Sequence, residues 1–238
     1  MKLDILAFGA HPDDVELGCG ALIAKEVSRG KKVGIVDLTR GELGTRGTAE
    51  TRDAESEHAA KILGVHVRTN MEFQDGFFTN DKAHQLEIIK MIRLYQPQTV
   101  LCNSVSDRHP DHGRASQLIS EACFYSGLLK IETELEGKQQ KQWRPKAVYH
   151  YIQDRYLKPD FVVDVSGFIN LKKDSVMAYS SQFYDPNSKE PETPITSKNF
   201  TDSIVYRARD LGRLIDVEHA EGFTVERFVG VTSLDKLI

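Results

Sequence analysis

The sequence predicts an α/β fold, a single domain over residues 1–238 built as a three-layer sandwich around a mainly parallel sheet. Two observations predict it. Through the first half, short apolar runs of strand length alternate with segments whose apolar residues recur at helical spacing, and strands separated by helices pair in parallel with both faces covered. The composition agrees, because 40% hydrophobic and 28% charged residues in a chain of 238 suit one domain with a substantial core.

The elements follow in order. Residues 3–8 form an apolar strand and residues 15–27 a helix, and residues 32–38 repeat the strand signal. A helix over 49–63 is closed by Gly64, and residues 65–73 supply a third strand. The helix over 84–95 stops before Pro97, since a proline disfavours helical backbone in the residue preceding it, and an apolar strand over 99–103 follows. Beyond residues 120–129 the chain turns polar through 132–142, and two further strands, 147–152 and 161–165, are expected to extend the sheet. Helical patterns at 171–182 and 201–215 flank a polar stretch, 183–200, whose three prolines mark a long loop, read as a lid or a contact between subunits.

Charge and cysteine usage exclude several function classes. With 31 Lys+Arg against 35 Asp+Glu the formal charge is -4, so no global basic field exists to hold nucleic acid or anionic lipid. Cys19, Cys102 and Cys123 form no CxxC pair and leave an odd count, which suits free thiols in a cytoplasmic protein. No apolar run approaches the roughly 20 residues needed to span a membrane.

The densest polar constellation, His11-Pro12-Asp13-Asp14, stands where the first strand ends. A second, His109-Pro110-Asp111-His112, follows the strand at 99–103. In a doubly wound, Rossmann-like sheet of order 3-2-1-4-5 the first and fourth strands are neighbours, and ligands bind at their carboxyl ends. Two distant tetrapeptides therefore meet at one site. Histidine nitrogens and carboxylate oxygens in this number suit a catalytic zinc, although Fe(II), Co(II) and Mn(II) accept the same donors.

Pro12 suits the first helical position, which places Asp13 and Asp14 in the first turn, where the positive helix end favours their ionised forms. Three ligands, His11, Asp14 and His112, leave a fourth position open and Asp13 free to take a proton from the attacking water. His109 also stays unligated. If its loop is extended, Asp111 points to the same side and orients the protonated imidazole, so that an acid faces a base.

Single Asp residues at helix starts are usually caps and single histidines usually structural, as assumed for His58, His66, His84 and His150. The coincidence of two motifs after two neighbouring strands is what favours a metal site. Gly18-Cys19-Gly20 does not complete a dinucleotide fingerprint because residue 23 is Ile, and Gly41, Gly44 and Gly47 lack the Lys-Ser/Thr ending of a phosphate loop. Cys19 is read as a packing residue.

These motifs resemble the LmbE-type, or PIG-L-like, zinc-dependent de-N-acetylases of N-acetylglucosaminyl conjugates. The likeness extends to Thr39-Arg40-Gly41-Glu42-Leu43-Gly44, Thr51-Arg52-Asp53-Ala54-Glu55 and Asp75-Gly76. It implies His11, Asp14 and His112 as ligands of one Zn2+ per subunit, Asp13 as base, and His109 with Asp111 as acid and orienting partner. It also implies substrate contacts from Glu42, Arg52, Asp75 and Arg108, and a homo-oligomer, a hexamer by that resemblance. The loop over 38–48, Asp107-Arg108 and His219-Ala220-Glu221-Gly222-Phe223 look most like the bacillithiol-pathway branch, whose substrate is N-acetylglucosaminyl malate. A guanidinium fork at Arg52 or Arg108 suits sugar hydroxyls or a malate carboxylate. Three rival readings remain open: an amidase for another sugar or small molecule, a metal-containing ligand-binding module without turnover, and a metal-free binding domain.

Overall fold

Alternate residues of the central strands divide between two apolar layers. In β1 (Ile5–Gly9), β2 (Val33–Thr39) and β4 (Thr99–Cys102), Leu6, Phe8, Val36, Leu38, Val100 and Cys102 face one layer, whereas Ile5, Ala7, Val33, Ile35 and Leu101 face the other. The period of two that sends successive side chains to opposite faces thus builds two cores from one sheet. The first is covered by α3 (Lys82–Tyr95) and α4 (Pro110–Tyr125), the second by α1 (Asp14–Ser28). A third cluster joins α2 (Ala49–Leu63), α5 (Ile169–Met177) and α6 (Lys198–Arg213) through Ala59, Val176 and Ile204. The structure, a computed structural model, describes residues 1–238 apart from the Lys236 side chain.

The remaining strands are β3 (Val67–Phe73), a small hairpin of β5 (Glu134–Leu135) and β6 (Lys138–Gln139), then β7 (Ala147–Tyr151), β8 (Phe161–Asp164) and β9 (Ala220–Val225). The main sheet runs β3-β2-β1-β4-β7-β9-β8, with its first five strands parallel, so the expected 3-2-1-4-5 order holds with β7 as fifth strand. No helix among the described residues is long and apolar enough to cross a membrane.

Several expectations are corrected. The polar stretch 132–142 contains the β5–β6 hairpin, turned by Glu136 and Gly137 at positive φ. β9 lies outside the expected strands: it inserts antiparallel between β7 and β8, so β8 sits at the sheet edge rather than beside β7. α3 starts two residues early because Asp81 caps it by accepting the His84 N–H, and α6 starts three early under a Ser197 cap. α5 ends at Met177, short of residue 182. α4 is continuous from the second His-Pro-Asp motif, with His109 as N-cap and Pro110 at the first position.

The glycine motif in α1 has a structural purpose. The helix kinks at Cys19 (φ -145°), and the N–H groups of Ala21 and Leu22 donate to the Glu221 carboxylate on β9, which also pairs with Lys172 at 2.6 Å. All three partners are buried, so a strand 200 residues away caps the second half of α1. Gly18 lies against the Tyr151 ring, where a Cβ would collide, and the Tyr151 hydroxyl donates to the Phe8 carbonyl at 2.8 Å.

His150 on β7 is buried between Ser116 Oγ (2.8 Å), Cys102 Sγ (3.2 Å), the Asn103 carbonyl (3.1 Å) and Glu226 Oε1 (3.1 Å). Burial alone would lower its pKa, but Cys102 and Glu226 outweigh that and push it up to about 11. A histidine raised on folding stabilises the native state fully below its ordinary value near 6.5 and loses that contribution as pH rises toward about 11. The urea stability of the wild type should therefore decline relative to His150→Gln between about pH 6.5 and 9. A difference that stays constant across that range would contradict the charged pair.

Candidate active site

His11 follows β1 by two residues, and Asn103 follows β4 directly, so the neighbouring carboxyl ends of the two strands supply the floor of the site. The first helix begins at Asp14 rather than at Pro12, so Asp14 lies in the first turn as expected, whereas Asp13 stands just outside it. Asp13 is its N-cap and takes a left-handed backbone (φ 110°, ψ -22°), a costly conformation for a residue with a Cβ. The buried Arg52 of α2 holds this turn: its guanidinium donates to the Pro12 carbonyl, to Asp13 Oδ2 at 2.9 Å and to the Gly41 carbonyl at 3.4 Å. Gly41 (φ 67°) allows this approach, because a Cβ there would collide with the guanidinium.

Asp14 is the centre of the arrangement. Its carboxylate accepts the His11 N–H (2.9 Å), the Asn103 amide (2.9 Å) and the Gln153 amide (2.5 Å). One oxygen lies 3.5 Å from His11 Nδ1 and the other 3.2 Å from His112 Nε2. Each imidazole is held at its other nitrogen by carboxylates. His112 Nδ1 is 2.7 Å from Asp107 Oδ2, and His11 Nε2 is 3.1 Å from Asp75 Oδ1 and 3.3 Å from Asp111 Oδ2. Outer carboxylates of this kind fix an imidazole's tautomer and orient its free lone pair toward a cation. Two imidazole nitrogens and an Asp14 oxygen turned on one another are a donor set that fits a divalent metal.

His109 joins the cluster, its ring edge-on to His11 (centroids 4.6 Å) and stacked on His112 (5.3 Å). The ligand atoms of His11, His109 and His112 lie within 4.8 Å of one another, as do those of His11, Asp75 and Asp111. His109 Nδ1 accepts the Asp111 N–H at 3.3 Å as the helix cap. A neutral imidazole accepting at Nδ1 carries its proton on Nε2, which leaves no lone pair for a metal.

The premise of an extended loop at His109 is corrected, because Asp111 lies in the first turn of α4. Its carboxylate accepts from the Gly76 N–H (2.9 Å) and Arg114 (2.6 Å) as well as facing His11, so its link to His109 runs through its backbone N–H.

Electrostatics separate the two adjacent aspartates. Burial raises Asp13 to about 7 against the opposing charge of Arg52, so desolvation overrides the helix end expected to keep it ionised. Burial would raise Asp14 too, but His112 and His11 hold it well below the usual carboxylate range. His11 and His112 are raised despite their burial, His112 to about 9, by the carboxylates around them. His109 is lowered by burial and by the two neighbouring imidazoles.

The expected substrate residues have mixed placements. Arg108 is exposed, lines the cleft and donates to Asp154 at 2.8 Å. Asp75 is buried at the cleft and accepts the Leu43 N–H at 2.9 Å. Arg52 lines the cleft but spends its donors on the chain itself. Glu42 is exposed and accepts the Asp75 N–H at 2.8 Å, pinning its loop beside the site.

Asn103, Asp107 and Gln153 complete the site without belonging to either motif. Asn103 and Asp107 lie in the segment joining β4 to the second motif, where the Asp107-Arg108 likeness marks Asp107, though not as a partner of His112, whereas nothing in the sequence marks Gln153.

The chain matches the PIG-L family model, described as GlcNAc-PI de-N-acetylase, over residues 6–123. It is 40% identical over 127 residues to the uncharacterised deacetylase YaiS of Escherichia coli K12, covering 50% of this chain and 67% of that protein. The diacetylchitobiose deacetylase of Thermococcus kodakarensis is 29% identical over 190 residues, covering 75% and 70%. Among solved structures, the conserved protein TT1542 of Thermus thermophilus superimposes with a TM-score of 0.87 at 33% identity over 98% of both chains.

Asp107→Ala should weaken divalent-metal binding about 10- to 100-fold, the usual consequence of losing an outer carboxylate. Competition with a calibrated chelator measures this. Unchanged affinity would remove Asp107 as the group that orients His112.

Proposed function

The chain belongs to the PIG-L family of deacetylases, and from that premise we propose that it is a zinc-dependent hydrolase removing the N-acetyl group from a glucosamine conjugate. The observation that carries this reading is the division of labour between adjacent carboxylates: Asp14 lies between two imidazoles, whereas Asp13 contacts neither and is held by Arg52.

His11 Nδ1, Asp14 and His112 Nε2 would hold the metal, which when bound supplies Lewis acidity to the amide carbonyl and to the attacking water. Asp13 accepts a proton from that water, and a carboxylate with a pKa of about 7 is well matched to this task at neutral pH. Arg52 keeps the Asp13 carboxylate in place while the strained turn presents it. His109, half-buried beside both ligand histidines, is the proposed acid in its imidazolium form, which burial and the neighbouring imidazoles disfavour and which takes up a second proton at the nitrogen turned to the Asp111 N–H. It donates its Nε2 proton to the leaving nitrogen as the carbon–nitrogen bond breaks and returns to the neutral form, since an unprotonated amine is a poor leaving group. The products are acetate and a free amine. Asp111 orders this end of the site by bracing His11 with its carboxylate and donating its backbone N–H to the capping ring of His109.

N-acetylglucosaminyl malate is the substrate proposed, as a step in bacillithiol biosynthesis. Its support is the likeness of the 38–48 loop, Asp107-Arg108 and the 219–223 segment to that branch, together with the exposed Arg108 guanidinium at the cleft rim, suited to a carboxylate. A homo-oligomer of cytoplasmic location accompanies this proposal.

Asp13→Asn keeps the shape of the turn but cannot accept a proton, so deacetylation of N-acetylglucosaminyl malate should fall roughly two to four orders of magnitude with zinc content retained. His112→Ala should lose both zinc and turnover. An Asp13→Asn protein that retains wild-type rate, or a His112→Ala protein with full zinc, would sink the assignment.

A further inference from the structure

The cleft at the metal-binding residues has a volume of about 610 Å³ and continues well past them. Its polar end is lined by Arg52, Asp75 and Arg108. The other end changes character. Leu17, one turn beyond Asp13 and Asp14 on α1, meets Ile152 and Leu157 from the β7–β8 connection and Phe200, Ile204 and Leu211 from α6.

The last three stand at positions i, i+4 and i+11 of α6 and share the wall with Ser203, Tyr206, Arg207 and Asp210 of the same helix. The wall is held in place: Arg207 donates to the carbonyls of Gln153 and Asp154, and Leu17 and Phe200 pack against the buried cluster that contains Ile204 and Phe183. The charges of this half are paired within the chain: Lys172 and Glu221 on each other and on the Ala21 and Leu22 N–H groups, Arg207 on the two carbonyls, and Asp210 with Arg213 at 3.2 Å. A malate group, small and doubly charged, matches the polar end and leaves the apolar half without a partner.

We propose that this apolar half is a second substrate subsite, continuous with the catalytic groups, that takes an alkyl or aryl substituent of several carbons carried by the sugar amide. The inference rests on the reading of the site as a de-N-acylase. Such a substituent has two sources on one substrate, an acyl group longer than acetyl or an apolar aglycone, and both present the same chemistry to the same residues. Burying a chain there removes apolar surface from water on both partners, which corresponds to about two- to fourfold in affinity per methylene.

The test compares two series in the zinc-loaded wild-type protein. One varies the acyl group of methyl glucosaminide from acetyl to octanoyl, and the other varies the aglycone of N-acetylglucosamine from methyl to octyl. kcat/KM is expected to climb about two- to fourfold per methylene in the series whose chain enters the subsite, and Ile204→Asp and Leu211→Asn should each flatten that climb toward a ratio near one. Two variants are used because Ile204 is buried, whereas Leu211 is only half-buried and tolerates a polar group more readily.

Flat series in the wild type, or a climb that survives both variants, would overturn the subsite while leaving deacetylation intact. Absence of turnover on every conjugate would instead overturn the reading beneath it. Calorimetry with methyl and octyl 2-amino-2-deoxyglucosides still decides the subsite in that event, and equal affinities would refute it. A change of oligomeric state in Leu211→Asn without any effect of chain length would identify the wall as a contact between copies of the chain and would also refute it.

Discussion

The site depends on keeping one buried carboxylate, Asp14, ionised. Removing a charge from water is costly unless hydrogen bonds and opposite charge replace the lost hydration. Asp14 receives that replacement from three directions: the backbone of its own motif through the His11 N–H, the end of β4 through Asn103, and the end of β7 through Gln153. Asn103 also accepts the Ala10 N–H, at 2.9 Å, so the ends of β1 and β4 are tied by the same side chain that steadies the carboxylate. The strand order and the electrostatics of the site are therefore one construction.

A second set of buried charges supports the first from below. Arg68 on β3 forks onto both oxygens of Asp37 on β2 at 2.7 and 2.8 Å and reaches Glu16 on α1 at 2.5 Å, while the Tyr179 hydroxyl donates to the same Glu16 oxygen at 3.0 Å. Every member except the partly covered Arg68 is fully buried. Glu16 stands two residues after Asp14, so this network locks the first turn of α1 against the sheet. Ion pairs of this kind contribute little net stability compared with apolar packing, but losing one partner strands a buried charge. Their consequence here is positional. The turn that strains Asp13 is anchored on one side by Arg52 and on the other by Arg68.

The loop over 183–197 shows how a segment without regular structure acquires a fixed place. Arg46 is buried and donates to Glu190 at 2.9 Å and to Ser188, while Gln182 donates to the Arg46 carbonyl at 2.8 Å. Glu55 on α2, one turn from Arg52, accepts from Ser180 and from the N–H and hydroxyl of Ser181. The glycine-rich 41–48 loop and the proline-rich loop are thus clamped to each other around the helix that carries Arg52, and both contribute to the cleft wall.

The alternating pattern of strands and helices is readable from the sequence because hydrophobic periodicity is a local property, and so is the meeting of two His-Pro-Asp motifs, because the doubly wound order follows from that alternation. β9 is not readable: the segment 220–225 begins Ala-Glu-Gly, and its strand character comes from pairing with β7 and β8 rather than from its own composition. Helix ends differ by two or three residues wherever a cap, Asp81 or Ser197, outweighs the apolar pattern. At the site, the residue types and their spacing point to His11, Asp13, Asp14, His109, Asp111 and His112 as one group. Their partners are decided only in three dimensions. Asp107 holds His112, Asp75 and Asp111 hold His11, Arg52 turns inward to Asp13, and Gln153 completes the shell of Asp14. The division has a physical reason. Which groups can bind a metal or move a proton is set by side-chain chemistry and is written in the sequence, whereas which tautomer, charge state and orientation each adopts depends on burial and on neighbours up to 139 residues away, which only the folded chain brings together.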